Sequence, residues 1–231
     1  LLPSSLNTND AWKRLLEAFS STEEIEKIIG LHTLFPGQDR DRIRKTNGNC
    51  ETHSYLQPLL KALPANGTFL ERLLALEVRS SLADNLLLVG DKLSMASGLE
   101  VRVPLLDPIY LKKVESIPGS LRRGGLFSQH GKMLHKLICG KLLPKEITSR
   151  RKKGFQTPME NWMKLELGDH LFDMIDDTKS FSRRYLEVKY AKNLIKKHRS
   201  GKHGNLERQL FAIWILEEWY RVFFVTSNRD Y

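Results

Sequence analysis

Asp84-Asn-Leu-Leu-Leu-Val-Gly-Asp91-Lys-Leu-Ser94-Met95-Ala96-Ser-Gly-Leu-Glu100-Val-Arg102-Val-Pro104-Leu-Leu-Asp107 runs through the middle of a 231-residue chain. Its leucine-rich first half continues a pattern that starts at Thr68 and Glu71. Those two residues form a capping box, in which a threonine hydroxyl and a glutamate three positions on satisfy each other's exposed amides. Leu70, Leu73, Leu74, Leu82 and Leu86 then recur at steps of three and four, the period of a helix with one buried face. Ser94-Met95-Ala96 is small and apolar enough for close helix packing beside a pocket. Glu100 and Arg102 alternate on a short extended piece that ends at Pro104, where buried ion pairs to neighbouring helices are expected. Asp107-Pro108 restarts a helix, with an N-cap followed by proline at the first helical position and Leu111 and Val114 facing inward.

Outward from this stretch the signals stay helical. Ser21-Thr22-Glu23-Glu24 is a second capping box, opening a helix that should stop at Gly30. Thr157-Pro158-Met159-Glu160 and Gly204-Asn205 mark two later starts. Leu206, Leu210, Ile213, Trp214 and Trp219 are the expected core face of the last helix. Glu100–Val103 and Phe223–Thr226 alternate briefly without hairpin turn chemistry, so strand content is thin. Residues 37–58, with Asp-Arg-Asp-Arg-Ile-Arg-Lys-Thr-Asn-Gly-Asn-Cys at their centre, read as an exposed irregular loop. The expected organisation is a helical and irregular segment 1–66, a motif region 67–165 and basic C-terminal helices 166–231. There is no internal repeat.

Apolar residues make up 41% and charged residues 28%, usage that excludes a disordered tail or a collagen-like chain. No apolar run approaches the ~18 residues of a membrane span, and the first residues lack the basic and apolar regions of a signal peptide. A chain without an initiator Met is expected to be a fragment of a longer product. Cys50 and Cys139 stand apart without metal-site spacing, so a metal centre is not expected and a reducing, cytoplasmic setting is. The net charge is +10 and local: eight Lys or Arg against one Glu lie between Arg183 and Lys202. Such a stretch suits an anionic partner or a solvated helix face equally. With only Tyr185 and Tyr190 among the lysines, a nucleic-acid stacking platform is disfavoured.

Two further stretches follow the first in fixed order. One is Gly131-Lys132-Met-Leu-His-Lys136-Leu with Leu143-Pro144; the other is Arg150-Arg-Lys152-Lys-Gly154-Phe155-Gln-Thr-Pro158 with Trp162. Together the three resemble the C-terminal synthetase domain of the glutamine-dependent asparagine synthetases, over about residues 70–165. The resemblance implies a mainly α chain, the helical second half of an α/β domain of the adenine-nucleotide α-hydrolase (ATP pyrophosphatase) type. The family's Ser-Gly-Gly-x-Asp-Ser pyrophosphate loop is not in this sequence, nor is its glutamine-hydrolysing domain, and Lys136 replaces the usual arginine. The partners implied are therefore that domain, the ATP-loop half and aspartate or another carboxylate. Homodimerisation stays open.

What the resemblance implies chemically is amide formation from a carboxylate with ATP and Mg, through an acyl-adenylate that ammonia from glutamine then cleaves. Lys152 matches the family's catalytic lysine, and loss of one such electrostatic contact costs about 100- to 1,000-fold in rate. Lys132 matches a lysine suited to the departing pyrophosphate, and Lys136 lies one turn beyond it. Asp84 and Asp91 could hold Lys152 charged. Glu100, Arg102 and Arg150 support the site, and Gly154 allows close approach of the backbone to a nucleotide. Relatives that amidate or cyclise a sugar acid, a peptide or a β-amino acid share these motifs, and a basic helical binding module without catalysis is the rival of another class. A chain lacking the ATP loop is expected to be inactive alone.

Overall fold

The computed structural model describes residues 10–45, 52–118, 121, 132–150, 157–201 and 206–226. They form two compact units, one drawn from residues 1–60 and 156–231, the other from 61–155. Both are helical. The only β pairing among the described residues is an isolated antiparallel bridge between Arg44 and Leu186.

The first unit begins with α1 (Asp10–Ser20) and α2 (Glu24–His32). Ser21 Oγ accepts the Glu23 amide at 3.1 Å, yet the helix passes through Gly30 instead of stopping there. Gly30 is used for contact: a Cβ on it would lie 2.8 Å from Ala18 Cα. The expected irregular loop over 37–58 is corrected by α3 (Gly37–Ile43) and α4 (Thr52–Lys61). Glu17 of α1 accepts the first amide of α3, Gly37 N–H, at 2.7 Å, and Ile43 is buried. A tertiary cap and one apolar anchor thus make a helix of a polar segment.

The core of this unit comes from α10 (Met159–Lys164), α11 (Glu166–Asp176), α12 (Phe181–Tyr185), α13 (Val188–Arg199) and α14 (Glu207–Tyr220), numbered in chain order after the second unit's α5–α9. The buried sets Gly168, Leu171, Ile175 and Ala191, Leu194, Ile195, His198 follow the helical step of three and four. Met163, Leu171, Ile175, Ala191, Ile195 and Leu210 are wholly inaccessible to solvent, the larger ones worth about 1.5–3 kcal/mol each. Of the core face expected on the last helix, Leu210 and Ile213 are buried, while Leu206 and Trp214 pack half-buried against them. Trp219 is instead 47% exposed, because Glu217 and Tyr220 occupy the buried stripe. Phe223–Thr226 continues this helix with π-type winding over Arg221–Thr226. Gly204 and Asn205 lie outside the described residues, and the helix starts at Glu207.

The second unit is led by one unbroken helical rod: α5 (Phe69–Glu77), a π-wound section Val78–Leu87, and α6 (Leu88–Met95). The Thr68–Glu71 capping box is complete in both directions. A 3₁₀ turn at Pro104–Leu106, α7 (Pro108–Glu115), α8 (Met133–Cys139) and α9 (Lys145–Thr148) follow. Asp107 Oδ1 accepts the Ile109 and Tyr110 amides at 3.0 and 2.9 Å, the cap that the sequence predicts. Among the described residues no helix is long and apolar enough to cross a membrane.

Candidate functional site

The candidate residues within the described chain all belong to the second unit, and the backbone there is tightly punctuated. At the end of α6 the Leu99 amide bonds the Ser94 carbonyl at 3.0 Å and the Gly98 amide bonds Met95 at 2.9 Å. Gly98 has φ +68°, and this paired pattern is a Schellman stop, which needs a left-handed residue that glycine supplies without strain. The chain then runs extended to Pro104, turns, and is captured by the Asp107 cap. Much of the 84–107 stretch therefore specifies where helices stop and start. Gly98 is the signal that the sequence reading passes over.

The polar residues left after this accounting are the candidates. Asp84 lies on the π-wound section and Asp91 on α6, both exposed. Glu100 and Arg102 meet, with Arg102 Nη2 2.5 Å from Glu100 Oε1. Their side chains are 68% and 84% exposed, so the expected buried pairs to neighbouring helices are corrected: the two residues pair with each other. Two residues apart in the link between α6 and the Pro104 turn, the opposite charges meet without any helix as intermediary. Such an exposed pair contributes little stability.

Lys132 precedes α8 with φ 63° and ψ 41°, and its carbonyl accepts the Lys136 amide at 3.0 Å. It is the one non-glycine residue of positive φ among those described, in a region that costs a side-chain-bearing residue about 1–3 kcal/mol. Lys136 is half-buried and Lys132 exposed, one turn apart. On the same helix Cys139 Sγ and His135 Nε2 are 3.6 Å apart. Arg150 is exposed just after α9. Lys152 and Gly154 lie outside the described residues, as does Phe155. Trp162, the last residue of the third motif, is 47% exposed on α10, because its neighbour Met163 takes the inward position.

A groove of about 770 Å³ in this unit was not anticipated as a whole. Leu74, Val78, Leu82 and Leu86 of the helical rod and Leu111 and Val114 of α7 line it, together with Glu77 and Arg79. The three- and four-residue leucine spacing and the inward face of the Asp107-capped helix each carried half of this signal. The Lys132 and Lys136 ammonium groups suit phosphate oxygens. No three His, Cys, Asp or Glu side chains cluster as metal ligands among the described residues.

A helical region with these motifs in this order defines the class: a synthetase domain of the adenine-nucleotide α-hydrolase type. The asparagine synthase family model matches residues 3–221, and the chain belongs to that family. Asparagine synthetase [glutamine-hydrolyzing] 1 of Bacillus subtilis is 26% identical over 146 residues, 63% of this chain and 22% of that protein. Putative asparagine synthetases [glutamine-hydrolyzing] of Mycobacterium bovis and Mycobacterium tuberculosis are 23% identical over 212 residues, 91% of this chain and 31% of each. The chain thus spans under a third of the length of these curated relatives. No solved structure matches it.

Proposed function

We propose that this chain is the helical part of an ATP-dependent ligase that converts aspartate to asparagine in the cytoplasm, with ammonia derived from glutamine. The observation that carries the reading is the family match over residues 3–221, within which the three motifs stand in order. In the proposed reaction an aspartate side-chain oxygen attacks the α-phosphorus of ATP. The bond to the bridging oxygen of pyrophosphate breaks, leaving an acyl-adenylate; ammonia then adds to the acyl carbon and AMP departs. Mg bound to ATP supplies charge neutralisation on the phosphates. Lys152 stabilises the charge that builds on phosphate and then on the tetrahedral oxygen, where a compact ammonium acts as a point charge. Lys132 neutralises pyrophosphate as it leaves. Arg150 lies two residues before Lys152 and adds to the same positive field. Gly154 leaves room for the nucleotide beside the backbone, and Asp84 and Asp91 help keep Lys152 charged. Glu100 and Arg102 form an exposed polar pair that orients the bound carboxylate.

The ATP-loop part and the glutamine-hydrolysing domain are the proposed partners, and the 231 residues alone are expected to form no asparagine. Aspartate labelled with ¹⁸O in its side-chain carboxylate tests the scheme, using the protein that contains both parts. Transfer of one label to AMP is expected. Label appearing in inorganic phosphate or water with none in AMP contradicts adenylation, and label transfer from another carboxylate only would keep the mechanism and replace the substrate.

A further inference from the structure

We infer that His135 and Cys139 of α8 form a binding site for one divalent transition-metal ion of the zinc class. The site is separate from the Mg that accompanies ATP and independent of the function proposed above, since an inactive protein would still bind the ion. The two residues stand four positions apart on α8, the step that brings side chains together on one helix face. Cys139 Sγ lies 3.6 Å from His135 Nε2. A tetrahedral ion with bonds of about 2.3 Å to sulfur and about 2.1 Å to nitrogen holds these donors about 3.6 Å apart. The helix thus sets the pair at the bite of such an ion. Binding uses the neutral imidazole and releases the thiol proton to solvent.

Access and donor chemistry agree with this geometry. His135 is exposed and Cys139 half-buried, so an ion enters from solvent and fills its two remaining positions with water. Cys139 carries no disulfide. Other described histidines are placed differently: His53 and His170 stand beside glutamates, and His198 meets a backbone carbonyl. Thiolate and imidazole select zinc, cobalt or copper, whereas magnesium and calcium take oxygen donors. The Mg of ATP is therefore no competitor. Nearby charges weaken the site: Lys136 directly follows His135, and Lys132 lies three residues before it. With two protein donors beside two cations, the ion is held less tightly than in a closed four-ligand centre. It is an exchangeable ion and not a folding element. Cysteine spacing alone does not reveal the site, because the second donor is a histidine one helical turn earlier.

Titration of the 231-residue chain with cobalt(II) tests the site. Cys50→Ser is the background, because Cys139 is then the sole thiol. A thiolate-to-cobalt charge-transfer band should appear in the near ultraviolet and saturate at one equivalent. Zinc should abolish the band, and a large excess of magnesium should leave it in place. His135→Ala, an exposed change to a good helix former, should weaken cobalt binding by about tenfold or more. Cys139→Ser should remove the band. Circular dichroism of each metal-free variant should match that of the background chain, so that lost binding reports a lost donor. The absence of any band overturns the inference. So does a band whose midpoint His135→Ala leaves unchanged, which would put the ion on Cys139 with other donors. Saturation at half an equivalent also overturns the single-chain site, in favour of one ion shared between two copies.

Discussion

Glu217 shows how one side chain can hold a junction. Only 2% exposed, its carboxylate accepts the Phe181 and Ser182 amides at 2.8 and 2.7 Å, taking up free donors at the start of α12. Glu217→Ala leaves both donors buried and unpaired, and should cost about 2–4 kcal/mol in a urea titration. Glu217→Gln, which keeps one of the two acceptor oxygens, should cost less; equal losses would point to packing. Tyr190 offers a second reading at this scale. Burial and then a hydrogen bond to Asp39 raise its pKa above the ordinary value of 10. The folded state therefore keeps a proton that the unfolded chain releases, so this contribution is complete below about pH 10 and is lost as pH rises further. Tyr190→Phe should cost about 1 kcal/mol near neutral pH and flatten the alkaline limb of stability against pH above 10. An unchanged limb would place the alkaline loss elsewhere.

At the scale of elements, two of the caps were legible and the tertiary compensations were not. The expected Ser21–Glu24 capping box is not formed, the helix there starting after Glu23 without a side-chain cap. Thr68 with Glu71 and Asp107 with Pro108 act within a few residues, and the structure keeps both. Residues 37–43 read as a loop because nothing local favours a helix; what stabilises it is Glu17, twenty positions away, and the buried Ile43. Gly30 read as a stop because a glycine after an apolar helix usually is one, whereas here it admits Ala18. Gly168 is the sharper case: a Cβ there would stand 2.1 Å from the Met163 carbonyl oxygen, which cannot yield without moving α10. Gly168→Ala should therefore destabilise the first unit by about 1–3 kcal/mol or more, and melting followed by circular dichroism measures it; a neutral outcome would mean that α10 shifts freely. The basic 183–202 stretch divides in the same way. Its buried stripe was legible as a helix, but the pairing of Lys192 with Asp176 and of Arg199 with Asp169 joins elements that are remote in sequence. Those contacts spend two of its cations on the fold.

For the molecule as a whole, the candidate site was legible as a family resemblance and only partly as geometry. Composition and periodicity reach a basic helical chain and stop, since a phosphate-binding lysine and a solvated one look alike in a single sequence. The ordered motifs name the family, and the structure then assigns Gly98, Pro104 and Asp107 to helix punctuation and pairs Glu100 with Arg102 on the surface. The first unit has a core of its own and the second does not, so the two should differ in stability when the chain is isolated. In the proposed reaction Lys152 is essential to carboxylate adenylation. Its most direct test is aspartate-dependent exchange of labelled pyrophosphate into ATP by the protein that contains the chain together with its nucleotide-binding portion, with Lys152→Ala alongside. Exchange should fall about 100- to 1,000-fold in the variant. Exchange that survives Lys152→Ala unchanged, or that no carboxylate elicits in the parent, would contradict it.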